Sequence, residues 1–356
     1  MPQVRIVPAA LPALYRRSHS RSASGTLRRR PALGLQRLLP ALALALSLAA
    51  PSAAWAQTYP SRTIRIICPF SPGGSIDKLA RLVGRKMEES LGVPVVVENR
   101  TGGGGSIGTK AMVDARPDGY TLGILSPGPT AVMAGLGAQI PYHIEKDISY
   151  IVALASVVGV MVAGPDFPAR SPRELIELAK KNPGKITYGT SGVGSSTHLQ
   201  VELFSHAAGV KMTHVPFKGA GNGVGDVLGG HVNMLMTTLA TAGSMINAGK
   251  LQGVYVFESQ RFPTHPQLPA VTEGLPGFTP PPNWYGLAGP GGLPPAIVDR
   301  LNREAVAAMA SPDLQKEIIA SAYRIIGGTP QDYLELIRKD VRMITEVGRT
   351  AGIRLE

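Results

Sequence analysis

The chain carries one cysteine, Cys68, so no internal disulfide can staple the fold. The 300 residues from 57 to 356 must be held by an apolar core, and a chain of that length can build one. Cys68 sits in the apolar run TIRIIC with no His or Lys beside it, so an inert core thiol is expected. Paired cysteines and an H-E-x-x-H motif are missing, which removes the commonest zinc sites. There is no Walker loop, and no turn holds two carboxylates suited to acid–base chemistry. Stripes of Lys and Arg interleaved with aromatics are also missing, which excludes a nucleic-acid footprint. No apolar run reaches the length of a membrane span.

Acidic residues are wholly absent from the first 56 positions, which carry eight Arg. That basic lead runs into LLPALALALSLAAPSAAWA, a short apolar stretch closed by small residues. The pattern is that of a secretory signal peptide over 1–56, with cleavage expected after Ala56 at Ala54-Trp55-Ala56 and a periplasmic destination. An uncleaved anchor is the alternative. The basic lead is long for such a signal, which leaves a start downstream of Met1 open. Taking eight Arg from the 36 basic residues leaves 28 against 24 acidic ones, or +4 beyond position 56. Most of the overall +12 therefore belongs to the targeting segment.

What is abundant is glycine, and it is placed in a pattern. IRIICPF is followed by SPGGS and a helical period; PVVVENR by TGGGGS; YTLGIL by SPGPT; ITYGT by SGVGSS; MTHVPF by KGAGNG; HVNMLMT by TLATAG. Apolar strand, small-residue turn and helix, repeated, indicate α/β units with mostly parallel sheets flanked by helices. In the first helix Ile76, Leu79, Ala80, Val83, Met87 and Leu91 share a face, and Gly92 stands at the expected stop. A Pro-rich stretch precedes WYGLAGP, after which three helical periods close the chain. Two lobes with crossovers near 160 and 281 are expected: 57–160 plus 282–356, and 161–281.

Ligands of such sheets sit beyond the carboxyl ends of the strands. The SPGGSID turn offers backbone rather than side chains there. Gly73 and Gly74 leave approach unobstructed, and a helix starting near Ser75 presents free N–H groups and a partial positive charge, which is an anion seat. Asp77 in the first turn is expected to cap the helix, bind a water or receive a donor on the ligand. GGGSIG (103–108) satisfies G-x-G-x-x-G, but the next strand ends in Ser126-Pro127 instead of the acid a dinucleotide ribose requires, so no cofactor is expected. GTSGVGSSTH brings Ser191, Ser195, Ser196 and His198 together, but it misses the last glycine of a nucleophile elbow and no third group is in view to orient a base. Helix capping and ligand hydrogen bonding are the expected roles. His198, Glu202 and His206 share a helix face; without further ligands they read as a hydrogen-bonded or solvated face, with no metal.

The ordered set YPSRTIRIICPFSPGGSIDKLARLVGRKMEESLGVPVVVENRTGGGGSIGTKAMVDARPDGYTL, TYGTSGVGSSTHL, VPFKGAG, GLPGF, WYGLAGPGGLPPAIVDRLN and GGTPQDY resembles the Bug-type periplasmic receptors of tripartite tricarboxylate transporters over essentially residues 57–356. The resemblance implies a two-lobed, Venus-flytrap fold with small carboxylates bound in the interlobe cleft. It maps one family loop onto 69–77, including Phe70, Ser71, Gly73, Gly74, Ser75 and Asp77. A second maps onto 190–198, including Thr190, Ser191, Gly192, Ser195 and His198. It implies Ser126, Thr130, Phe217, Lys218, Gly219, Ala220 and Asn222 around the cleft. This chain departs from the family at Asn222-Gly223, where Pro-Ala is usual, and at Asn233 and Thr237, where Asp is usual.

The expected function is capture of a small carboxylate and its delivery to integral membrane transporter subunits, by a monomer without enzymatic activity. Two other readings remain: a sensor serving a signalling partner, and a secreted serine hydrolase using Ser191 or Ser195 with His198.

Overall fold

Alternating apolar residues build the first strand, β1 (Ile64–Cys68). Ile64, Ile66 and Cys68 point to one face and Ile67 to the other, and all are buried, which marks a strand covered on both sides. In the computed structural model, which describes residues 59–281 and 283–355, the chain then runs through α1 (Ser75–Leu91), β2 (Val95–Asn99), α2 (Ser106–Val113) and β3 (Thr121–Leu125). The expected signal peptide and its cleavage site lie outside the described residues. β1 sits between β2 and β3, parallel to both. The six apolar residues expected on one face of α1 are all buried, and Gly92 ends the helix in the left-handed region at φ 69°, its N–H returning to Glu88 O. Each of the larger side chains among them, fully buried, contributes roughly 1.5–3 kcal/mol.

β4 (Ile148–Val157) completes the outgoing half of the first sheet, and only Val158 separates it from β5 (Gly159–Ala163) of a second sheet. The second sheet continues with α3 (Pro172–Lys181), β6 (Thr187–Thr190), α4 (Ser196–Ala208), β7 (Thr213–Pro216), α5 (Ala220–Leu228), β8 (Met234–Thr238), α6 (Leu239–Asn247) and β9 (Gln252–Val256). The chain returns to the first sheet as β10 (Trp284–Pro290) and ends in α7 (Pro295–Ala310), α8 (Pro312–Ala320), β11 (Tyr323–Gly327) and α9 (Pro330–Ala351).

Strand order is β11-β4-β10-β3-β1-β2 in the first sheet and β7-β6-β8-β5-β9 in the second. The sheets are mixed, which corrects the expectation of mostly parallel ones. β10 is antiparallel to β3 and β4, β11 to β4, and β5 to β8 and β9. The cause is the double passage between lobes. One residue links β4 to β5, too little for the helical crossover a parallel connection needs, and the returning β10 runs opposite to the outgoing β4.

The parallel strands carry the function-bearing turns. β1, β3, β6 and β8 all end toward one cleft, and apolar clusters on both faces of each sheet hold them in register. Met234 and Met236 are core residues of β8, as their setting in an apolar run suggests. Cys68 is fully buried, and burial pushes its thiol up to about 12, so it stays protonated and inert.

Candidate functional site

The turns after β1, β3, β6 and β8 close around one interlobe cavity. Phe70, Ser71, Gly74, Ser75, Ser126, Ser191, Ser195 and Ala220 line it, all residues singled out from sequence, together with Ile76, Ser196, Thr197, Thr237, Thr238 and Tyr285. No lining residue is charged. Four helices begin there: α1 at Ser75, α4 at Ser196, α5 at Ala220, and α6 just after Thr238. Each helix start carries roughly half a positive charge and N–H groups without intrahelical partners. The hydroxyls of Ser71, Ser126 and Thr237 are buried without a partner in the protein. A cavity edged by helix starts and unpaired hydroxyls suits an anion held by backbone and O–H donors.

The first turn is organised from behind. Asp77 does not line the cavity. Its carboxylate accepts from Gly73 N–H at 3.1 Å, from Arg81 at 2.9 and 3.2 Å, and from Asn99 at 2.8 Å. Burial pushes the Asp77 carboxyl up, but the Arg81, Asn99 and Gly73 donors outweigh it and hold the group below its ordinary range. Asp77 therefore departs from the expected helix-capping role and does not reach the cavity: it braces the turn ahead of the helix. Gly73, at φ 78°, takes the left-handed conformation that lets its N–H turn back to Asp77. Gly74 is the α1 N-cap with no side-chain cap, at an ordinary φ of −74°. Ser75 is held by its N–H to Thr241 Oγ1 at 3.0 Å, its hydroxyl to Tyr285 at 2.7 Å, and its carbonyl accepting from Tyr323 at 2.7 Å.

The second turn is organised from within. Ser195 caps α4, its Oγ accepting from His198 N–H at 3.2 Å and donating to Gly192 O at 2.7 Å. Thr197 Oγ1 accepts from Ser191 N–H at 3.0 Å. Thr190 turns away from the cavity to His214 at 2.7 Å, and Gly192 N–H donates back to Thr190. His198 lies behind the turn, stacked on His214 with ring centroids 4.2 Å apart, its Nδ1 accepting from Gly194 N–H. Burial lowers both imidazoles, that of His214 to about 4, and Glu202 partly opposes the fall at His198. The hydrolase constellation is therefore not assembled: Ser195 meets the main chain of His198, and the His198 ring serves Gly194 and Glu202. Glu202 also accepts from Tyr188, His206 is exposed, and no metal-holding group of three or more ligands occurs among the described residues.

The remaining sequence candidates stand off the cavity. Thr130 spends its hydroxyl on Ser126 O at 2.8 Å. Phe217 packs into the core of the second lobe beside Gly189 and Gly223. Lys218 is exposed and contributes only its carbonyl, which accepts from Ser71 N–H at 3.2 Å across the cleft. Gly219, at φ 141°, lies so close to Ser71 that a Cβ would come within 2.3 Å of its Oγ. Asn222 is exposed in α5. Of the three departures from the family pattern, only Thr237 reaches the cavity. Asn233 fastens the start of β8 to Thr187.

Thr237 and Thr238 end β8 just as the recognised turns end β1 and β6, a signal the sequence did carry. Tyr285 arrives from β10, more than 200 residues from Ser75, and had no local signal. The cavity encloses about 30 Å³, the space of about one water, so a dicarboxylate enters only if the lobes part. Larger cavities lie elsewhere. One of about 360 Å³ adjoins the interlobe passages at Gln200, Asn283 and Arg324; an apolar one of about 390 Å³ lies between α4 and α9.

Two α/β lobes joined by two passages, with helix starts facing a shared cleft, define the class of periplasmic solute-binding proteins. The family model for the tripartite tricarboxylate transporter family receptor matches residues 79–352. BugT of Bordetella pertussis is 34% identical over 329 residues, 91% of this chain and 100% of that protein. Among solved structures, BugD, described as a periplasmic binding protein, superposes with a TM-score of 0.79 at 30% identity, covering 84% of this chain and 100% of BugD. Rpa4515 of R. palustris with adipate gives 0.79 at 30%, covering 83% and 99%, and MatC of Rhodopseudomonas palustris with malate gives 0.77 at 27%, covering 81% and 99%. The chain belongs to the tripartite tricarboxylate transporter receptor family, that of the Bug proteins.

Proposed function

We propose that this chain is an exported receptor that captures a small carboxylate between its lobes and delivers it to the membrane subunits of a tripartite tricarboxylate-type transporter. The observation that carries the reading is the convergence of four helix starts on a cavity without a charged side chain. Such a site favours an anion through the helix dipoles and the free N–H groups at their starts. Relatives of the same fold solved with adipate and malate support the ligand class. In this reading the ligand contacts come from the 69–77 and 190–198 turns with Ser126 and Thr237, and the protein acts as a monomer without turnover. Mutual repulsion among the four helix starts opposes closure until an anion sits between them, which ties the closed form to the ligand.

Export is part of the proposal: the mature chain begins at Gln57, which intact mass of the secreted protein tests. Ligand class is tested by a thermal-shift panel of organic acids on the mature protein. An acid at 100 times its Kd raises stability by about 2.7 kcal/mol. A panel without a shift removes the carboxylate reading. Deletion of the gene is expected to abolish uptake of the binding acid; intact uptake favours sensing. Small-angle scattering is expected to show a smaller radius with the acid than without it, and equal radii would argue for a rigid cleft.

A further inference from the structure

The first turn of α6 belongs to the second lobe yet docks on the first. Ala240 packs against the apolar cluster of the first lobe, and the adjacent Thr241 Oγ1 takes the N–H of Ser75, the first residue of α1, at 3.0 Å. Thr241 does not line the cavity, but its hydroxyl lies 3.2 Å from that of Thr238, which does. An amide N–H can only donate, so Thr241 is the acceptor toward Ser75 and keeps its own proton free. Donating that proton to Thr238 Oγ1 continues the chain in the direction that strengthens both bonds. The Thr238 proton is then left to point into the cavity.

We propose that Thr241 is a closure-coupled positioning residue: when the lobes meet, it captures the first N–H of α1 and orients the Thr238 hydroxyl toward the bound carboxylate. This rests on the carboxylate-receptor reading. The bond joins groups on opposite lobes and exists only in the closed arrangement. It therefore slows ligand release and leaves encounter unchanged. It touches no ligand atom, so it serves every acid the cleft accepts. The other cross-lobe bond near the turn, Ser71 N–H to Lys218 O, is main chain to main chain, which leaves Thr241 as the side-chain hook at this edge.

The test uses the mature protein with adipate, malate, succinate and citrate as probes, and stopped-flow kinetics on those that bind. Thr241→Val keeps the shape and removes the hydroxyl. It is expected to raise Kd roughly five- to tenfold, the loss of one hydrogen bond and of the order it imposes. The change should fall in the dissociation rate, with association within about twofold of wild type. The factor should be the same for each binding acid, Thr241→Ser should restore it, and melting of the ligand-free protein should not move. By contrast, Thr238→Val should change the ranking of the acids. Wild-type dissociation rates in Thr241→Val overturn the proposal, as does a loss that Thr241→Ser fails to recover or that a lower ligand-free melting temperature accompanies. A wild-type protein that binds none of the probes overturns the receptor reading and the hook with it. Wild-type binding with an unaffected Thr241→Val overturns the hook alone.

Discussion

The two turns that face each other across the cleft start from similar glycine- and serine-rich sequence and are built differently. The 69–77 turn is held from outside the cavity, by Asp77 clamped between Gly73, Arg81 and Asn99. Its N-cap residue, Gly74, supplies no side-chain cap, and of the N–H groups at the start of α1 only that of Ser75 is taken by a side chain, Thr241. The 190–198 turn is held from inside, by Ser195 and Thr197, whose hydroxyls consume the N–H groups of His198 and Ser191. In the proposed reading the first turn is thus a seat of backbone, and the second a cover whose polar groups largely satisfy one another. An anion site needs the first arrangement on at least one side, because a capped helix start has fewer donors left to offer.

The largest effect should come from obstructing the seat. In Gly74→Val the backbone is already at a permitted φ of −74°, and a Cβ meets only Ser71 O at 3.5 Å, so the fold should survive. The side chain then occupies the cavity wall, and affinity for the binding acid should fall at least thirtyfold, about 2 kcal/mol. Calorimetric titration and melting read the two quantities separately. A folded variant with unchanged affinity would put the seat elsewhere.

Loosening the seat from behind should cost less. Asp77→Asn removes the charge that Arg81 and Asn99 surround, and is expected to lower stability by about 1 kcal/mol and affinity about fivefold. The carboxyl of Asp77 is depressed in the fold, so its contribution is present above its unfolded pKa and disappears as pH falls through the folded one. The variant should accordingly lose part of the wild-type fall in stability at acid pH; identical acid profiles would show that the clamp is idle.

In the cover, single hydroxyls should matter less for binding. Ser195→Ala removes the α4 cap and should cost about 1 kcal/mol in stability, with affinity within about threefold of wild type. Ser191→Ala should weaken binding severalfold. Neither change should alter ester hydrolysis above background, and an esterase activity abolished by either would overturn the receptor reading.

The smallest effect on binding is expected from the pH response of the cover. His214 is depressed to about 4 by burial and by His198, so between about 6.5 and 4 the unfolded chain binds a proton that the fold refuses. Stability supported by the neutral ring is complete above that window and declines as pH falls through it. His214→Asn should flatten the decline without touching the seat. A parallel loss in both proteins, followed by melting across that window, would assign the decline to other groups.

Much of this comparison was legible in the chain. Apolar runs ending in turns of small residues mark β1, β3, β6 and β8, and the 3.6-residue stripe from Ile76 to Leu91 marks α1, because local patterning reports which residues are buried. Mixed sheet direction was not legible, since it follows from where the chain passes between lobes rather than from any strand's composition. β11 escaped notice because it is a short edge strand with exposed Arg324, Ile325 and Ile326. Thr130, Thr190 and His198 carry the right chemistry in the right turns, yet face away from the cavity, since sequence orders residues along a turn without saying which way a side chain points.

What the sequence determined by itself is the family, the α/β class and the positions of the turns that meet at the cavity, all set by short-range patterns of apolar spacing and glycine. What only the tertiary structure decided is which hydroxyls are left unpaired, that Asp77 braces instead of binding, and that Tyr285, Tyr323 and Thr241 meet at Ser75. Those outcomes depend on contacts between residues up to 248 positions apart, and a hydrogen bond is satisfied or left open only once its distant partner has arrived.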